Sequence, residues 1–261
     1  MKLSINAELV YSFADSTQII ASVEASHTDD QMVLSETLDV HPPVQLLRDK
    51  SSAGDRCIRA SLSGEATIRY QATVENNLRQ LLPLAGRQHL WSELPNEVLP
   101  FLLPSRFCPS DKFMRFVQRE FSTASDGVAR IMAVLEWINR NIDYISGISN
   151  AETTAERTFV DRAGVCRDFT HLGITLSRAL GIPARAVSAY ALDLNPPDFH
   201  AVFEVYLEGN WWLIDPTRLA PVEGIVRIGS GRDASDIAFL TSDKQCQVLR
   251  QTIEVVQAPP V

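Results

Sequence analysis

The stretch Gly164-Val165-Cys166-Arg167-Asp168-Phe169-Thr170-His171 puts a thiol where a helix is expected to begin. Apolar periodicity predicts that helix from about Val165 to Leu180, with Gly181 and Pro183 as its C-terminal stop. The first turn of a helix carries unpaired N–H groups and the positive end of the macrodipole. A thiolate is stabilised there, and the thiolate is the nucleophilic form of cysteine. The same N–H groups could receive the oxyanion formed when a carbonyl is attacked. Gly164 is expected to leave room for a substrate backbone. Cys166 could equally be a small buried hydrophobe, as many free cysteines are. Cys57 in a strand pattern, Cys108 among prolines and Cys246 near the tail lack that position and read as filler.

A cysteine nucleophile needs a base. Among the five histidines, His27, His41 and His89 lie in the first part of the chain and read as surface residues. His171 is five positions past Cys166, about 140° away around a helix. It shares a stripe with Arg167 and Arg178, which predicts a polar face. His200 opens a strand-like run, Phe199-His200-Ala201-Val202-Phe203-Glu204, and could meet a helix N-terminus to form a thiolate–imidazolium pair. Asp215, in Trp212-Leu213-Ile214-Asp215-Pro216-Thr217, could orient that imidazole, or Asp-Pro could merely start a turn. A tight turn centred on Gly209 would set residue 218 opposite His200, an offset of about 10 Å from Asp215. Contact between the two therefore requires a bulge, a wider loop or a shifted register.

These residues must be held by surrounding elements. The first 75 residues alternate at a period of two: Leu3, Ile5, Ala7, Leu9, Tyr11 and Phe13, then Ile58, Ala60 and Leu62, then Ala66, Ile68, Tyr70, Ala72 and Val74. Ser63-Gly64 between the last two runs predicts a hairpin. Pro95, Pro100, Pro104 and Pro109 exclude a continuous helix and predict an extended connector. Ser110-Asp111 opens a short helix through Phe121, and Ser125 is placed to cap a longer one whose buried face carries Val128, Ile131, Met132, Leu135, Ile138 and Ile142. After the cysteine helix come three strand-like runs, Ala184 to Leu192, Phe199 to Leu207 and Trp211 to Ile214, with Glu208-Gly209-Asn210 as the last turn. The expected class is α+β. Residues 1–95 form an N-terminal antiparallel β domain, 96–110 a Pro-rich connector, and 111–261 a core with a C-terminal extension.

Composition narrows the function. The 261 residues carry 24 Lys and Arg against 32 Asp and Glu, a net charge of −8, and 45% are hydrophobic. Ample core material and an acidic balance without a basic block disfavour nucleic-acid and membrane partners. The amino terminus has no signal-like apolar run, and no stretch of about 18 uncharged residues suggests a membrane helix. Four scattered cysteines without a C-x-x-C pair fit a reducing cytoplasmic setting. Cys166, His200 and Asp215 lack a fourth ligand for zinc and no calcium loop occurs, so neither metal nor cofactor is expected.

Five ordered segments resemble the bacterial transglutaminase-like superfamily: Gly164-Val165-Cys166-Arg167-Asp168-Phe169, Gly181-Ile182-Pro183-Ala184-Arg185, His200-Ala201, Asp215-Pro216-Thr217 and Gly231-Arg232-Asp233. Pro104-Ser105-Arg106 and the strand-rich N-terminal part add to the likeness, which is dense over about residues 130–240. The resemblance implies a papain-like core with Cys166 as nucleophile, His200 as base and Asp215 as orienting acid. It implies that the fold solves the register problem. Tyr144 could supply an oxyanion hydroxyl, as aromatics ahead of the cysteine do in some relatives, or could simply close the long helix. Where relatives commonly carry tryptophan this chain has Val202, which is expected to line the cleft differently, while Glu204 is retained. The function expected is cysteine-based acyl transfer on carboxamide or peptide bonds of a protein or peptide substrate. A thioester would be resolved by water or by an amine. The alternative is a catalytically silent protein- or peptide-binding module on the same fold.

Overall fold

Alternation at the start of the chain is realised over a longer span than the sequence suggests. The computed structural model describes residues 1–51, 54–125 and 127–258. Four strands come first: β1 (Lys2–Ala21), β2 (Met32–His41), β3 (Leu47–Lys50) and β4 (Arg56–Glu75). Single 3-10 turns at Trp91–Glu93, Leu99–Leu102 and Ser110–Phe113 punctuate the proline-rich segment. Then follow α1 (Met114–Glu120), α2 (Val128–Asn141), the two-residue β5 (Asp143–Tyr144), α3 (Ala155–Asp161), the two-residue β6 (Ala163–Gly164) and α4 (Cys166–Ala179). The chain closes with β7 (Ala184–Ala191), β8 (His200–Leu207), β9 (Asn210–Ile214), β10 (Ile225–Gly231), β11 (Leu240–Ser242) and β12 (Cys246–Gln257).

The first sheet runs β11-β1-β4-β2, with β12 also on β1 and β3 also on β4, all antiparallel. The C-terminal strands therefore pair with the N-terminal ones. Ser63-Gly64 is not a hairpin: β4 passes straight through it. Phe13 pairs with Gly64 and Thr17 with Leu62, so the extra residues of β1 bulge and Gly64, at φ +65°, takes up the bend. Side-chain parity explains the difference. A two-residue hairpin would turn odd-numbered residues after 64 inward, but Ala66, Ile68 and Tyr70 continue the even parity of Ile58, Ala60 and Leu62.

The second sheet, β10-β7-β8-β9, is antiparallel and contains the three expected strands. Its fourth strand, β10, is an addition to that expectation. Helix α4 lies on β8, where a Cβ on Gly173 would come within 2.8 Å of the Phe203 ring, so the bare glycine permits the close approach. Behind α4 pack Phe113, Val117, Val134 and Ile138 from α1, α2 and the turn before them. Helix α2 starts at Val128, not under Ser125. Its N-cap is Gly127 (φ +67°), and the Val128 amide donates to the Gly86 carbonyl at 3.0 Å. A Cβ at 127 would fall on that carbonyl, so backbone replaces the expected serine cap.

Tyr190, Val226 and Ile228 of the second sheet pack into the same apolar core as Leu3, Ile5 and Tyr70 of the first. The Tyr190 hydroxyl, fully buried, donates to the Val23 carbonyl at 2.6 Å. Burying such an aromatic contributes roughly 2–3 kcal/mol, so the two sheets are one packing unit along this seam. Among the described residues, no helix is long and apolar enough to cross a membrane.

Candidate active site

Cys166 is the first residue of α4, as the periodicity predicts, and is half-buried and free of any disulfide. Val165 is the N-cap, and its amide donates to Asp168 Oδ2 at 2.9 Å. This is the reach-back half of a capping box, and it sets the first turn around the sulfur. Gly164 serves that turn. A Cβ there would come within 2.6 Å of the Asp168 Cβ, so the space expected for substrate backbone is filled by the capping carboxylate. Asp168 is fully buried and also accepts from Arg167 Nη2 at 3.1 Å.

His200 is the first residue of β8, and its Nε2 lies 3.0 Å from Asp215 Oδ2, both side chains being almost wholly buried. The register differs from the expected one. Leu207 pairs with Asn210 and Phe203 with Ile214 around a two-residue loop, Glu208–Gly209, both at positive φ (+51° and +77°). Continued pairing would set Thr217 opposite His200. Instead the ladder stops at Ile214 and the chain folds back on Asp215. Its Oδ1 accepts from the Thr217 amide at 2.9 Å and hydroxyl at 2.6 Å, and its Oδ2 from the Ala220 amide at 3.0 Å. Those donors aim the carboxylate back across the gap, so neither a bulge nor a wider loop is needed.

Burial is the largest influence on the imidazole and lowers its pKa. Pairing with Asp215 and the nearness of the Cys166 thiol outweigh it and lift the pKa to about 9. Asp215 is held below the usual carboxylate range by the same pairing, against burial, which is the largest influence and raises it. With Nε2 on Asp215, the other nitrogen, Nδ1, is buried without a hydrogen-bond partner and is the one left to address the Cys166 thiol. Tyr144 also comes to this point. It pairs with Gly164 through the β5–β6 bridge, and its hydroxyl lies within the influence of the Cys166 amide and thiol. Burial first, then charge at Cys166, push the phenol up to about 12, so the hydroxyl keeps its proton at neutral pH and can donate a hydrogen bond.

Several expectations are corrected here. Val202 lines no cleft; it is fully buried with Val187, Leu213 and Ile225. The stripe of His171 and Arg178 is polar but not solvated. His171 is 0% exposed, stacks 5.1 Å from the Phe107 ring, and accepts from the Ala234 amide at 3.1 Å through Nε2. Arg178 donates to the carbonyls of Ala184 (3.0 and 2.8 Å), Leu103 (3.0 Å) and Arg232 (2.6 Å) and to Ser105 Oγ (3.0 Å). Asp233 accepts the Phe107 amide at 2.9 Å beside it. The Pro104-Ser105-Arg106, Gly181–Arg185 and Gly231–Asp233 segments thus meet under α4 and brace it. Cys108 is buried and its thiol pushed up to about 12 by desolvation, which suits filler. Among the described residues, no three His, Cys, Asp or Glu side chains gather as metal ligands would.

Buried His171 carries a testable consequence. Burial lowers its pKa to about 4, against 6.5 in an unfolded chain, so acid protonates the unfolded state first. Stability from its neutral form is present above pH 6.5, falls as pH drops toward 4, and loses at most roughly 3 kcal/mol. Urea midpoints at pH 7 and 4.5 are expected to differ less in His171→Asn than in the parent chain. Equal differences would show that His171 titrates freely.

Residues 115–216 match the family model of the transglutaminase-like superfamily. A crystal structure from Cytophaga hutchinsonii, provisionally described as a cysteine protease, shares 37% identity and a TM-score of 0.89, over 100% of this chain and 92% of that one. An uncharacterised protein of Mycobacterium leprae is 28% identical over 193 residues, 67% of each chain. The periplasmic domain of TgpA from Pseudomonas aeruginosa shares 16% identity over 82% of this chain and 77% of that one, with a TM-score of 0.45.

Proposed function

Since this chain belongs to the transglutaminase-like superfamily, we propose that it is a cysteine acyl-transfer enzyme acting on carboxamide or peptide bonds. The observation that carries the reading is the His200–Asp215 pair, held at 3.0 Å beside a thiol at a helix N-terminus, with Nδ1 unpartnered. In the reaction, Cys166 Sγ attacks the carbonyl carbon as the thiolate of a thiolate–imidazolium pair. The carbonyl oxygen gains the electron pair and is met by N–H groups of the first turn of α4 and by the Tyr144 hydroxyl. His200 delivers its proton to the leaving nitrogen, the C–N bond breaks, and a thioester remains. Water, or an amine in a cross-linking reaction, then attacks the thioester and gives up a proton to His200 as the thiolate departs. Asp215 stays ionised and holds the ring through both steps. Hydrolysis is the default outcome because water is always available and the sequence marks no amine-binding pocket.

The substrate class that follows is a protein or peptide bearing a glutamine carboxamide or a scissile amide. The reducing cytosol suits four cysteines with no disulfide. The competing reading, a silent binding module, would keep the fold without a reactive sulfur. Iodoacetamide separates the two. At pH 7 it should label Cys166 well ahead of Cys57, Cys108 and Cys246. A peptide-amide library should leave an acyl adduct on Cys166 by mass spectrometry, absent in Cys166→Ala. Equal, slow labelling of all four thiols would support the module.

A further inference from the structure

The loop after Tyr144 is tied to the nucleophile's helix at two points. The first adjoins the Tyr144–Gly164 bridge: the Ile145 amide donates to the Gly164 carbonyl at 3.0 Å. The second is Arg167, the neighbour of Cys166. Its Nη2 donates both to the Asn150 carbonyl and to Asp168 Oδ1. Asn150 organises its own turn, with its side-chain oxygen accepting the Glu152 amide at 2.8 Å and its amide donating to Thr153 Oγ1 at 3.0 Å. Asp168 is the carboxylate that shapes the first turn of α4. One guanidinium nitrogen therefore joins a preformed loop turn to the cap that positions the sulfur. Between the two ties the chain has little to hold it. Ile145 through Ile148 are exposed, and Gly147, at φ +78°, has nothing within 4 Å of where a Cβ would stand.

We propose that Arg167 is a positioning residue: it clamps the loop from Tyr144 to Asn150 against the start of α4 and so keeps the Tyr144 hydroxyl over the reacting carbonyl. Arg167 acts through Tyr144 and touches no substrate. This rests on the acyl-transfer reading of Cys166.

Two probes isolate the effect. p-Nitrophenyl acetate acetylates a thiolate through a tetrahedral oxyanion and releases p-nitrophenolate. Iodoacetamide alkylates the same thiolate by displacing iodide and forms no oxyanion. Arg167→Met is expected to slow acetylation of Cys166 roughly 10-fold, part of the loss that follows outright removal of an oxyanion donor. Alkylation should stay within about twofold of the parent chain, because the Val165 amide still holds the Asp168 cap and the imidazole is untouched. The Tyr144→Phe, Arg167→Met double variant should acetylate no more slowly than Tyr144→Phe alone. Arg167→Lys keeps the charge without the planar fork and is expected to recover only part of the rate. The proposal is overturned if Arg167→Met slows both probes alike, slows neither, multiplies with Tyr144→Phe, or is fully rescued by lysine. A parent Cys166 that alkylates no faster than the other thiols overturns the acyl-transfer reading, and this proposal with it.

Discussion

Acylation of Cys166 by an activated ester is expected to fall about 10²- to 10⁴-fold in His200→Ala, the range typical of losing a positioned acid–base group. Iodoacetamide labelling should lose its preference for Cys166 in the same variant, because the imidazolium no longer favours the thiolate. The pH profile adds a sharper test. His200 has its pKa lifted to about 9, so its role as proton donor should fail on an alkaline limb near that pH. Burial alone would drive the value the other way, and Asp215 is the main group opposing it. Asp215→Asn removes the charge and most of the lift, so the limb should move toward acid. A His200→Ala protein that acylates within tenfold of the parent, or an alkaline limb indifferent to Asp215→Asn, would sink the assigned roles.

The helix that carries Cys166 and the three strands after it were legible because periodicity and stop signals coincide within a few residues of their true ends. The resemblance brought His200 and Asp215 into one site before any geometry was known. The contact itself was not legible. Strand arithmetic assumes that pairing continues, but the Asp215 side chain ends it by capturing the amides of Thr217 and Ala220. Long-range backbone partners were hidden for the same reason. Nothing near Ser125 announces that the Gly86 carbonyl will cap α2. Likewise, polar residues on α4 suggest solvent until the loops bearing Ser105 and Asp233 are seen to cover them. The even parity across Gly64 was present in the sequence and would have ruled out the hairpin. The Asp168 cap is similarly visible as an acid three positions after an N-cap, a pattern that marks a helix start as well as a nucleophile does.

The largest stability loss is expected at Glu204, which shares a strand with His200 but serves a different purpose. Its carboxylate is 0% exposed and receives Arg185 Nε at 2.6 Å and Arg227 Nε at 2.7 Å. Arg227 also reaches Asp30 at 2.7 and 2.8 Å, and Arg79 meets the same Asp30 at 3.0 Å. Gln31 closes the cluster by accepting the Arg227 amide at 2.7 Å. Charges from the 30–31 turn, residue 79, β7, β8 and β10 are thus interlocked where the two sheets meet. Burial, the largest influence, would raise the Glu204 pKa, but the two guanidiniums hold it below the usual range, so the site is ionised in the folded chain. Removing one partner of a buried pair leaves the other charge uncompensated and costs about 3–5 kcal/mol. Glu204→Ala should therefore lower Tm by roughly 10 °C, given about 2–4 °C per kcal/mol for chains approaching this size. Arg185→Ala should cost less, because that side chain is 18% exposed and rests on the Trp211 face, leaving Arg227 still paired with both acids. The lowered Glu204 pKa adds a pH signature. Its contribution is present above the unfolded carboxylate pKa of about 4.3 and is lost as pH falls through the lower folded value, so the two melts should converge in acid. A Glu204→Ala melt within a degree or two of the parent at pH 7 would mean that Asp30, with solvent, is enough to compensate the Arg227 guanidinium at this seam.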